Sequence, residues 1–137
     1  MKILIGIDPG VNTGFAVSKN GNLIKVASMT ITQAMKEINH ILMYNPEKIK
    51  IYIEDARKRR WYGKNSNAKQ QGAGSIKRDC SIWDDYLNEI GIDFELVDPK
   101  HQKGATKKTS DEFKSITGWT GRTNEHARDA AMLIYDR

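Results

Sequence analysis

Cysteine is nearly absent: Cys80 is the single one among 137 residues, which excludes an internal disulfide, and with three scattered histidines it offers no zinc-ligand spacing. Cys80 is expected as a small buried hydrophobe. Proline is scarce, with three residues, and neither a Pro- or Ser-rich linker nor an internal repeat divides the chain, so residues 1–137 are expected to form one domain. No apolar run approaches the roughly 18 residues of a membrane span. The opening MKILIGID runs straight into a turn-forming segment rather than a cleavage site. A cytoplasmic chain without a membrane partner is expected.

The most informative absence is acid in two places. Residues 56–78 hold eight Lys or Arg (Arg57, Lys58, Arg59, Arg60, Lys64, Lys69, Lys77, Arg78) and no Asp or Glu. Residues 99–108 hold Lys100, Lys103, Lys107 and Lys108, again without acid. The net charge of +5 thus comes from two basic patches on a remainder with ten basic and seventeen acidic side chains. A solubilising face normally mixes signs. Segregation of this kind suits a polyanion, because neutralising phosphates releases counterions.

Patterning gives an α/β domain. Residues 2–8 and 14–19 read as strands, and Asn20-Gly21 supplies the positive φ angles of a tight hairpin into a third strand at 22–28, forming an antiparallel meander. Thr30 and Gln33 form a capping-box pattern ahead of an amphipathic helix over 31–44, which ends before Pro46. KIKIYIED alternates as a strand near 49–54. The polar GKNSNAKQQGAGS reads as a mobile loop, followed by a helix whose face carries Cys80, Trp83, Leu87 and Ile90 and which stops at Gly91. IDFELVD is a fifth strand. Thr109 and Glu112 form a second capping box, opening a short helix that buries Phe113 and Ile116, and a last helix spans 123–136. The order implies a mixed five-stranded sheet, antiparallel first and then parallel, flanked by helices.

Asp8 ends the first strand and Glu54 the fourth, so parallel neighbours would bring both carboxylates to the carboxyl-terminal edge, where ligands of open α/β sheets sit. Asp129 lies on the last helix, with His126 three residues before it on the same face. Three converging carboxylates repel unless a cation sits among them. Hard oxygen donors without thiolate point to Mg²⁺ or Mn²⁺. Two such ions about 4 Å apart clamp the attacking water and leaving oxygen of a phosphodiester displacement. In this reading Asp8 bridges the ions, and Gly10 and Gly14 keep the turn compact so that a phosphate backbone can approach. Asp55, next to Glu54, faces the other way and reads as structural.

IGIDPGVNTGFAV, IYIED and EHARDAAML resemble, in order and spacing, the motifs of RuvC-type Holliday junction resolvases, which have the RNase H-like nuclease fold. The first motif is shared with wider groups; the H-A-x-D-A helix with a lysine loop ahead of it is the more specific part. The family often carries two aspartates three apart on that helix, where this chain has His126 and Asp129. The resemblance implies an RNase H-like mixed sheet and a crossover junction endodeoxyribonuclease that nicks branched DNA in pairs, leaving 5′-phosphate and 3′-hydroxyl ends. It assigns two Mg²⁺ ions, with Mn²⁺ able to substitute, to Asp8, Glu54 and Asp129, with His126 as a ligand or a group orienting water. Lys107 and Lys108, just before a helix start, take the role of a cation at the scissile phosphate. Arg57, Lys58, Arg59, Arg60, Trp61, Tyr62 and Lys64 fall where the family packs against the junction centre, and Lys100 and Lys103 join them as DNA contacts. Two matched cuts in a two-fold substrate imply a homodimer, with the helix of Trp83 and Leu87 as its candidate surface. The chain is compact beside the usual bacterial members, as a phage-type version would be. Hydrolysis of RNA–DNA hybrids or of other branched DNA, and nucleic-acid binding without catalysis, are the alternatives.

Overall fold

A computed structural model of the chain describes residues 2–45, 48–55, 57, 66–98 and 108–137, with the backbone alone over 66–73. The strands are β1 (Ile3–Asp8), β2 (Thr13–Lys19), β3 (Asn22–Met29), β4 (Ile49–Glu54) and β5 (Asp93–Val97). The helices are α1 (Ile31–Tyr44), α2 (Ser66–Ile90), α3 (Ser110–Thr117) and α4 (Glu125–Ile134). One sheet in the order β3-β2-β1-β4-β5 contains all five strands, with β1 antiparallel to β2, β2 antiparallel to β3, and β1, β4 and β5 mutually parallel.

Local chemistry accounts for most boundaries. Asn20 and Gly21 take φ of 52° and 85°, the positive pair that a two-residue hairpin between right-twisted strands requires. Both predicted capping boxes form: Thr30 and Thr109 accept from the amides of Gln33 and Glu112, whose side chains reach back to the cap amides. Asn124 caps α4 by accepting from the Ala127 amide at 2.9 Å, which places the helix start two residues later than periodicity implies.

Alternation along the strands builds two cores. Ile3, Ile5 and Ile7 of β1 and Ile51 and Ile53 of β4 pack beneath α1 and α2 with Trp83 and Leu87. Leu4, Tyr52 and Val97 face the opposite side, under Phe113 of α3 and Ala127, Ala130, Ala131 and Leu133 of α4. Trp83 meets Tyr86 edge-on, with ring centroids 6.0 Å apart.

Three expectations are corrected. Residues 66–75, read as a loop, are the first turns of α2; Ala68, Lys69, Gln70, Gln71 and Ala73 are good helix formers and outweigh the interspersed glycines. Trp83 and Leu87 are fully buried in this chain's own core, so they form no dimer surface. Ile116 is exposed, because Phe113 alone of α3 reaches the core. Cys80 is buried, as expected. Among the described residues, no helix is long and apolar enough to cross a membrane.

Candidate active site

The site is assembled at the carboxyl ends of β1 and β4. Strand β1 delivers Asp8 to a turn that Thr13 closes, its buried hydroxyl donating to the Gly10 carbonyl at 2.7 Å. In the parallel register Ile7 sits opposite Ile53, so the next position sets Asp8 beside Glu54. Both belong to the alternation that carries Leu4 and Tyr52, and therefore rise on the α4 side of the sheet.

Helix α4 approaches this face more closely than side chains would allow. A Cβ on Gly6 would lie 2.1 Å from the Ala130 carbonyl oxygen, and one on Gly14 would lie 2.0 Å from that of His126. The two glycines form a bed into which the helix backbone settles, and this contact brings His126 to Asp8. Gly14 thus serves helix-to-sheet packing, a correction to its expected role of admitting a phosphate backbone: the space its missing side chain leaves is filled by α4.

His126 Nδ1 stands 3.2 Å from Asp8 Oδ2. The Asp8 side chain is 13% exposed and the imidazole 48%, so the pair spans the boundary between core and solvent. With Nδ1–H donating to the carboxylate, Nε2 is left as an acceptor or ligand. Glu54 is 1% exposed and Asp129, one turn beyond His126, is half-buried. Asp8, Glu54 and Asp129 each have further interactions within the protein. Among the described residues, no three His, Cys, Asp or Glu side chains already stand together as a metal-binding group. The donor chemistry nonetheless fits a hard divalent cation: carboxylates and one imidazole at the sheet edge, with the single thiol turned away to the Glu54 backbone carbonyl at 3.8 Å.

Two arginines organise the surroundings. Arg57 donates from Nε to Asp55 Oδ1 at 2.8 Å and from a terminal nitrogen to Asp84 Oδ2 at 3.4 Å. The hydrogen bond to Asp55 is the main cause that raises the Arg57 pKa further. Asp55 itself is buried, and its amide donates to the Val97 carbonyl at 2.8 Å, fixing the residue after Glu54 to β5. Asp55 is thus structural, as its place in the strand suggests, and the Arg57 guanidinium is engaged within the protein. Arg128, which sequence reasoning passed over, donates from Nε to the Lys108 carbonyl at 2.7 Å and from a terminal nitrogen to Thr123 Oγ1 at 3.0 Å. The available signal was a lone arginine set between His126 and Asp129 in HARDAA. Lys58, Arg59, Arg60, Trp61, Tyr62, Lys64, Lys100, Lys103 and Lys107 lie outside the described residues. Trp119 is half-buried against the second core.

No protein-family model and no curated protein matches the chain. Among solved structures it is similar to T. thermophilus RuvC in complex with a Holliday junction substrate, at 16% identity over 96% of this chain and 89% of that one, with a TM-score of 0.59. The five-stranded mixed sheet flanked by helices is the RuvC-like, RNase H-like α/β fold.

Proposed function

We propose that this chain is a metal-dependent, structure-selective endonuclease that resolves four-way DNA junctions by paired phosphodiester hydrolysis. The observation that carries the reading is the Asp8–His126 pair set beside Glu54 at the carboxyl edge of two parallel strands. The RuvC neighbour, which is in complex with a Holliday junction, supports the choice of substrate. Segregated basic patches on an acidic remainder support a polyanionic partner.

Asp8, Glu54, Asp129 and His126 would hold the Mg²⁺ ions, with Mn²⁺ as substitute. When bound, such ions polarise the phosphodiester and lower the pKa of an attacking water. The protein's own groups supply the rest. Glu54, buried and paired with Val97 of β5, keeps its carboxylate in one place without losing side-chain freedom during the reaction. His126, held at Nδ1 by Asp8, presents Nε2 in a defined tautomer to a ligand or water. Lys108, at the start of α3, brings a cation to charge developing on the phosphoryl oxygens, with Lys107 as its neighbour. Lys58, Arg59, Arg60, Lys64, Lys100 and Lys103 grip the backbone, and Trp61 and Tyr62 stack on unpaired bases at the crossover. Arg57, the first cation of that basic run, also forms ion pairs with Asp55 and Asp84, which limits its reach to DNA. A homodimer with one site per subunit matches the two-fold substrate.

The test is a panel of labelled substrates incubated with Mg²⁺: an immobile four-way junction, linear duplex and an RNA–DNA hybrid. Cleavage of the junction alone supports the proposal. A cut hybrid beside an intact junction would assign the RNase H-type activity instead, and binding without any cut would leave a nucleic-acid-binding role.

A further inference from the structure

Lys108 and the helix bearing His126 and Asp129 belong to different elements, yet one side chain joins them. Arg128 leaves α4 from the turn between His126 and Asp129 and is half-buried. It spends its donors on backbone and hydroxyl oxygens rather than on a carboxylate: Lys108 O at 2.7 Å, Thr123 Oγ1 at 3.0 Å and Thr123 O at 3.3 Å. Thr123 immediately precedes the α4 cap, and Lys108 immediately precedes Thr109, the cap of α3. The guanidinium therefore bridges the entrances of both helices. A planar fork with several N–H groups spans three acceptors in this way, and an ammonium does not.

We propose that Arg128 is a positioning residue that fixes the backbone of Lys108 relative to His126 and Asp129, so that the lysine starts from a set point beside the reacting phosphate. The inference rests on the nuclease reading above. Its physical ground is that Lys108 carries its charge on a flexible four-carbon stem, and anchoring the carbonyl of the same residue removes the main-chain share of that freedom. A misplacement of about 1 Å in a group that stabilises a transition state can cost on the order of a hundredfold in rate. Holding a backbone carbonyl is therefore a means of holding a rate.

A kinetic double-mutant cycle tests it, using single-turnover junction cleavage with Arg128→Gln, Lys108→Ala and the double variant, together with Arg128→Lys. Lys108→Ala is expected to slow cleavage about a hundredfold and Arg128→Gln about tenfold, with junction affinity unchanged within about twofold for Arg128→Gln. The double variant should be no slower than Lys108→Ala alone, because a misplaced lysine and an absent one forfeit the same interaction. Arg128→Lys, which can reach the Lys108 carbonyl but not span all three oxygens, should recover part of the rate. Rate losses that multiply in the double variant would overturn the proposal, as would an Arg128→Gln defect confined to affinity or matched by Arg128→Lys. If the wild type cuts nothing, the nuclease reading fails and this inference with it. If the wild type cuts and the cycle is multiplicative, only the positioning role fails.

Discussion

Single atoms decide the geometry of this site. The absent side chain of Gly14 is the clearest case, since its space is taken by the His126 carbonyl. Gly14→Ala is expected to push α4 off the sheet, destabilising the fold by about 2–4 kcal/mol and lengthening the Asp8–His126 contact. Urea denaturation reads the first effect. The same change at Gly21, which meets no atom within 4 Å but holds φ at 85°, should cost only about 1 kcal/mol of backbone strain. The Asp55–Arg57 pair is a second residue-scale device, with the carboxylate 5% and the guanidinium 30% exposed. Arg57→Ala leaves Asp55 buried without its cation and should lower stability by about 2–3 kcal/mol, an effect larger than its effect on junction affinity. Equal stability with sharply weaker junction binding would place Arg57 on the DNA instead.

At the scale of elements, α1 and α2, neighbours on one face of the sheet, are tied together by Tyr86, whose hydroxyl lies 2.9 Å from Asn39 Oδ1 and 3.3 Å from the Met35 carbonyl. Burial raises the Tyr86 phenol above its ordinary 10.0. The folded protein therefore keeps a proton that the unfolded chain releases, so this group's contribution is complete below about pH 10 and is lost as pH rises towards the raised value. Tyr86→Phe should cost about 1 kcal/mol at neutral pH and make the alkaline fall in stability shallower, as followed by denaturation at a series of pH values. Elements were legible in the sequence where their signals are local. Asn20-Gly21, the Thr30 and Thr109 boxes and the period of α1 each need only a few neighbouring residues to be read. The start of α2 was not, because a polar, glycine-bearing run carries no apolar stripe and loses its helical signature. Trp83 and Leu87 showed the periodicity of a buried face, but periodicity does not say whether a core or a partner covers it.

For the whole molecule, the legible part of the site was its carboxylates. Asp8 and Glu54 could be set side by side because strand ends and parallel pairing follow from element order. What could not be read depends on a helix returning across more than a hundred residues, which sets the fit of α4 on Gly6 and Gly14 and the 3.2 Å pairing of His126 with Asp8, and on the tether from Arg128 to Lys108, twenty residues apart and in different elements. The sheet brings the first strand under the last helix, and the proposed chemistry lies where they meet. That convergence is tested most directly by single-turnover cleavage of an immobile four-way junction in Mg²⁺ with wild type and Asp8→Asn, beside junction binding measured without metal. The account predicts symmetric paired nicks with 5′-phosphate ends from the wild type, and a loss of at least about a thousandfold in Asp8→Asn with binding retained. Wild-type cleavage that survives unchanged in Asp8→Asn would contradict it.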